Sequence, residues 1–304
     1  MMSRRWTALA VCLLAAVPGF AQEKKRVLMV TKSSAFQHPV VAHKDGQLGL
    51  AERTVKDLCD KLGYEIVITK DASLLNAENL KRFNAVFFYT QGDLTIPGVD
   101  KETPMRKEDR HAILDFVKNG GGFVGTHCGG ADTFNHNIWV ENGKKPFIEM
   151  VGAEFTGHGA QQDATVEVVD PNFPAVSHWP KTFRKWDEWY AYDGFHDNMH
   201  VLMVIRTEGM KGWEYQRPDY PITWCSNNGS GRVFYTGLGH VEEMWQNEHY
   251  QKMLSDALRW TVKDAEADAS PNLKSLFGDE KAALARFNTQ GPRPAPPAKK
   301  AAKK

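Results

Sequence analysis

The chain has 304 residues, 42% of them hydrophobic, with 38 basic and 37 acidic side chains and a formal charge of +1. That length supplies core for one large α/β domain or two small ones, and the absence of any basic stripe argues against a nucleic-acid partner. Seven of the basic residues (Arg4, Arg5, Arg293, Lys299, Lys300, Lys303 and Lys304) lie in two terminal segments that contain no acids, so the stretch between them has 31 basic against 37 acidic residues, a formal −6.

Arg4 and Arg5 precede an apolar run over 6–17, followed by Pro18 and the pattern Gly19-Phe20-Ala21. This is the grammar of a secretory signal peptide over residues 1–21, cleaved after Ala21; the run is too short to span a bilayer. The expectation is a periplasmic or secreted protein with no stable membrane insertion. Cys12 falls in that leader, and Cys59, Cys128 and Cys225 form an odd set in a chain with ample core, not a disulfide framework.

Residues 26–31 (RVLMVT) predict a first strand, and 45–62 a helix with Leu48, Ala51, Val55, Leu58 and Leu62 on one face and Gly63 as its stop. A strand at 64–69, a short helix at 73–83 and a buried strand at 85–90 follow. Thr103-Pro104 predicts a helix start in the cap-then-proline order, and 122–126 a fourth strand. Such alternation implies right-handed βαβ units and a parallel sheet. After Gly157 the pattern turns to strands at 164–169, 186–192 and 201–205. A hairpin then pairs 221–226 with 232–236 around Asn227-Asn228-Gly229-Ser230-Gly231, and a helix covers 248–262. The expected architecture is α/β: a mostly parallel, doubly wound sheet over 26–263 with a β-rich insertion. Residues 264–290 form a weakly helical extension, and 291–304, rich in Pro, Ala and Lys, a flexible basic tail.

The hairpin's second strand delivers Gly237-Leu238-Gly239-His240 at its C-terminal end, where open α/β sheets place their binding groups. Phe36-Gln37-His38 follows the first strand and Gly125-Thr126-His127 the fourth; His158 lies in a glycine-flanked loop. Asp187-Glu188-Trp189-Tyr190 mixes carboxylates with aromatic rings, a composition suited to sugars, although an amphipathic core strand has the same look. The segments at 36–38, 120–127, 187–190 and 231–240, with Trp245, resemble in order and spacing the ThuA-like (trehalose utilisation) family. The resemblance implies a fold similar to flavodoxin and the class I glutamine amidotransferases, and a small-molecule carbohydrate as partner.

Amidotransferases carry Gly-x-Cys-x-Gly at a strand-to-helix elbow. Here the elbow falls on His127, with Cys128 one residue late, so a Cys128–His240–Glu242 triad is out of register and Cys128 is expected to be buried and inert. His38, His127 and His240 are the expected ligands of a divalent metal such as Zn²⁺; they could instead hydrogen-bond sugar hydroxyls, or serve only as loop-end side chains. Glu188, His127 and His240 are the candidate catalytic residues. His38, His158, Asp132, Trp189, Tyr190 and Trp245 are the candidate substrate contacts. The resemblance implies lyase, isomerase or hydrolase chemistry on a disaccharide or keto-glycoside, with Glu188 or a histidine as base. A non-catalytic sugar-binding module and a two-carboxylate glycoside hydrolase are the alternatives.

Overall fold

The computed structural model describes residues 24–278. The expected signal peptide, the basic tail and the last part of the extension lie outside the described residues. Strand β1 (Arg26–Val30) pairs in parallel with β2 (Glu65–Thr69) and β3 (Ala85–Phe88); β3 pairs with β4 (Gly122–Thr126), and β4 with β11 (Gly231–Thr236). From β11 the sheet continues antiparallel through β10 (Tyr220–Asn228), β9 (His200–Arg206), β6 (Gln162–Val168) and β7 (Thr182–Asp187). A separate ribbon joins β5 (Glu154–His158) to β8 (Tyr190–Asp193).

The chain steps from β1 to β2 in one direction and from β2 through β3 to β4 in the other. Right-handed crossovers therefore place α1 (Leu50–Leu62) on one face and α2 (Ala77–Leu80) and α3 (Arg110–Lys118) on the opposite one. The packing agrees: α1 contacts α6 (Glu248–Thr261), whereas α3 contacts α2 and α4 (Pro146–Val151). Reversal of strand order between β1 and β3 opens a crevice beyond their C-terminal ends, into which the loops after β1, β3, β4 and β11 converge.

The predicted strands and the hairpin are present, with three corrections. Helix α1 begins at Leu50 instead of residue 45, because Asp45 and Gly46 take left-handed turn conformations and the Glu52 carboxylate accepts the Gly49 N–H at 2.7 Å. No helix starts at Pro104: the Met105 N–H donates to the Leu94 carbonyl and the Thr103 carbonyl accepts from Ala72, holding that segment extended until Lys107. The strand expected over 186–192 is broken after Asp187, and the chain leaves the large sheet for the ribbon. The sequence pattern gave no sign of α4 or of β5. Two further short helices are α5 (Glu242–Trp245), after the His240 loop, and α7 (Leu273–Phe277), within the predicted extension.

Candidate functional site

Three histidines and one carboxylate meet on the crevice floor. One donor atom from each of His38, His127, Glu188 and His240 lies within 4.8 Å of all the others. His240 Nδ1 is 3.1 Å from His127 Nε2 and 3.2 Å from Glu188 Oε1, and His127 Nε2 is 3.6 Å from the same oxygen. His158 approaches from the ribbon, its Nδ1 3.2 Å from Glu188 Oε2.

Local structure fixes His127, Glu188 and His240. His127 sits at the elbow after β4 with φ of 50°, a left-handed conformation that turns its ring inward. Its Nδ1 donates to the Gly237 carbonyl at 3.2 Å, so in the neutral ring Nε2 carries the lone pair and faces the cluster. Gly239 has φ of 115°, and a Cβ there would stand 2.3 Å from the Tyr250 hydroxyl; only glycine lets the chain turn into His240. The break after β7 is explained by Asp187. Its buried carboxylate accepts the N–H groups of Glu188 (2.9 Å), Gly239 (2.9 Å), His240 (3.1 Å) and Val241 (3.2 Å). One side chain thus holds Glu188 and His240 in register.

Burial, reinforced by the neighbouring imidazoles, pushes His38 down to about 2. Burial likewise lowers His127. Neutral imidazoles are the form that ligates metals. Burial opposes ionisation of Glu188, but its contacts with the neighbouring His127 and His240 rings outweigh it and hold the carboxyl well below the usual range. Imidazole nitrogens and a carboxylate converging on one point suit Zn²⁺ or a similar borderline cation.

Above the cluster is a cavity of about 910 Å³. His38, His158, Glu188, Tyr190, His240 and Asp132 all line it. His127 lies beneath, its ring centroid 4.0 Å from that of Tyr190. Burial pushes the Asp132 carboxyl up to about 7, with the Glu188 charge adding to the rise and a hydrogen bond from Gln91 opposing it. Trp189 and Trp245, predicted as sugar contacts, do not reach the cavity. Both rings are fully buried, Trp189 Nε1 donating to the Gln162 carbonyl and Trp245 Nε1 to that of Gly239, each at 2.8 Å. Trp245 acts instead as a prop beneath the His240 loop.

Cys128 is fully buried, burial raises its thiol, and its Sγ faces His38 Nδ1 at 3.7 Å. Glu242 is exposed at the start of α5. The amidotransferase-type triad is not assembled. Sequence reasoning missed Gln91, Asp93 and Asn135, which line the cavity wall. Gln91 and Asp93 follow β3 at the same sheet edge as His38, so strand-end position was the available signal. A second cavity, of about 550 Å³, opens among Lys25, Asn84, Phe116 and Gly121 at the N-terminal ends of the strands and gathers none of the histidines.

Comparison with known proteins recovers the same α/β fold. The family model described as trehalose utilisation matches residues 26–261, and the chain belongs to this ThuA family. A ThuA-like protein from Bacteroides uniformis has a similar fold, with a TM-score of 0.60 at 20% identity over 83% of this chain and 97% of that one. A ThuA-like protein from Parabacteroides merdae gives 0.59 at 17% identity, over 81% and 92%. A cytoplasmic protein from Salmonella typhimurium gives 0.52 at 11% identity, over 78% and 98%. At these identities the likeness is one of fold. No curated protein matches the chain. Family membership supports a carbohydrate-related role.

Proposed function

We propose that the crevice binds a keto-glycoside and carries out carbonyl-assisted elimination or isomerisation, with a divalent metal such as Zn²⁺ held by His38, His127, His240 and Glu188. The observation that carries this reading is the convergence of those four donors directly below a sugar-sized cavity that also presents Asp132. The metal, when bound, supplies Lewis-acid polarisation of a substrate carbonyl. A ketone acidifies the neighbouring C–H, and Asp132 is better matched than Glu188 to take that proton near neutrality: one carboxyl is raised to about 7, the other held low by its histidines. The electron pair released forms an enolate. Its collapse expels the glycosidic oxygen at the adjacent carbon; where the deprotonated carbon bears a hydroxyl, transfer of that hydroxyl's proton to the enolate oxygen and reprotonation at the former carbonyl carbon moves the carbonyl instead. In this reading His158, which lines the cavity beside Glu188, would donate to the leaving oxygen, and Asp187, by fixing Glu188 and His240 together, would hold the floor in shape.

Asp132 and Glu188 lining one cavity also suits the two-carboxylate hydrolase, and the substrate's oxidation state separates the two readings. Purified protein lacking residues 1–21 would be incubated with a keto-disaccharide and with its unoxidised parent, and both followed by NMR. Conversion of the keto-sugar alone is the expected result. Conversion of the parent would establish the hydrolase instead, and binding without turnover a sugar-binding module. The signal-peptide pattern over 1–21 supports a periplasmic or secreted site of action. An N-terminus at Gln22 in protein recovered from the cell envelope is expected, and an intact Met1 would contradict it.

A further inference from the structure

The cavity has two zones. Its floor is polar, but its mouth carries two of the largest apolar side chains left in water, Phe36 at 56% and Ile96 at 43% exposure. Isolated exposed apolar residues need no explanation; two at the rim of one polar pocket do.

Both stand on fixed backbone. The Gln91 side-chain oxygen accepts the N–H groups of Ala35 (3.0 Å) and Phe36 (3.1 Å), tying the β1 loop to the β3 loop. The 91–99 loop is pinned in turn. The Asp93 N–H donates to Ser34 Oγ, the Asp93 carboxylate accepts from Thr95, and the Val99 N–H donates to the Ser33 carbonyl. The Phe36 ring stands edge-on to His38 with centroids 4.9 Å apart, which puts it one group's width from the cluster. On the far wall Phe155 packs on Tyr190 at 4.1 Å. A sugar on the floor would therefore direct its substituent outward between apolar surfaces already held in place.

We propose that Phe36 and Ile96 form an aglycone subsite, selecting keto-glycosides whose leaving group is flat or apolar over those with a small or fully hydroxylated one. This rests on the keto-glycoside reading of the floor. An ordered apolar rim gains affinity from the area it removes from water without a cost of ordering loops.

The test measures binding of phenyl and methyl keto-glucosides by calorimetry, with Zn²⁺ present, to the wild-type chain and to a Phe36→Ala/Ile96→Thr double variant. Wild type is expected to bind the phenyl compound about tenfold more tightly, the area of one ring being ample for that ratio. The double variant should bring the two compounds within about twofold of each other while Tm stays unchanged, since neither side chain is buried in the core. Equal wild-type affinities, or a preference that survives the double variant, would overturn the subsite alone. Failure of both compounds to bind wild type would overturn the keto-glycoside reading and the subsite with it.

Discussion

Two buried polar clusters sit at the C-terminal edge of the parallel strands and use similar side chains. In the first, Glu52 accepts from the Thr31 hydroxyl (2.6 Å), the Gly49 N–H (2.7 Å) and His43 Nε2 (2.7 Å), with Lys70 at 3.5 Å donating also to the Val41 carbonyl. Both Glu52 oxygens are fully engaged inside the protein. In the second, Glu188 and three imidazoles turn their free atoms toward one another and toward a cavity. Histidine and carboxylate content does not distinguish the two. Unspent bonding capacity facing open space does, and it divides the clusters into one that holds the fold and one available for chemistry.

The sharpest way to break this division is at the open cluster. His127→Ala or Glu188→Gln should lower turnover of a keto-glycoside by about a hundredfold to ten-thousandfold, the range for removing a group that acts in the transition state. Each should leave Tm within a few degrees of wild type. A loss of stability matching the loss of activity would mean that the open cluster, too, is structural.

The closed cluster should respond in the opposite sense. Glu52→Ala leaves Lys70 buried with Asp100 at 3.8 Å as its remaining carboxylate, and about 3 kcal/mol of unfolding free energy should be lost in denaturant titration. Because the Lys70 and Glu52 bonds pin the loop that follows His38, metal affinity should weaken secondarily. Turnover falling with no change in stability would contradict the assignment.

Much of this was legible in the chain. The succession of strands along the chain, the hairpin and the strand-end positions of His38, His127 and His240 followed from the β-rich runs, because a parallel sheet brings those ends together wherever they fall in sequence. Asp187 was not legible as an anchor. Its four N–H partners come from its own neighbour and from a loop some fifty residues away, and only folding joins them. Trp189 and Trp245 misled for the converse reason: an aromatic beside a carboxylate has the same local pattern whether its ring faces a sugar or the core. Asp132 was named from its place after the elbow, but its raised carboxyl depends on burial beneath the 91–93 loop, which periodicity does not reveal.

A finer prediction concerns pH. Asp132 is raised from 3.8 to about 7, so between those values the folded chain holds a proton that the unfolded chain has released. Its contribution to stability is therefore fully present below about pH 4, falls as pH rises toward 7 and is flat above that, worth roughly 4 kcal/mol across the window. Subtracting the stability curve of Asp132→Asn from that of wild type should expose this slope. The ascending limb of turnover near pH 7 should vanish in the same variant. A flat difference curve would show that Asp132 is ionised throughout and is not the matched base.

The most direct test of the open cluster is titration of metal-free protein with Zn²⁺ by calorimetry, alongside His127→Ala and Glu52→Ala. One equivalent should bind wild type, Glu52→Ala should retain that site with reduced affinity, and His127→Ala should lose it. Absence of binding to wild type, or a site untouched by His127→Ala, would contradict the claim that these imidazoles and Glu188 are held open for a cation.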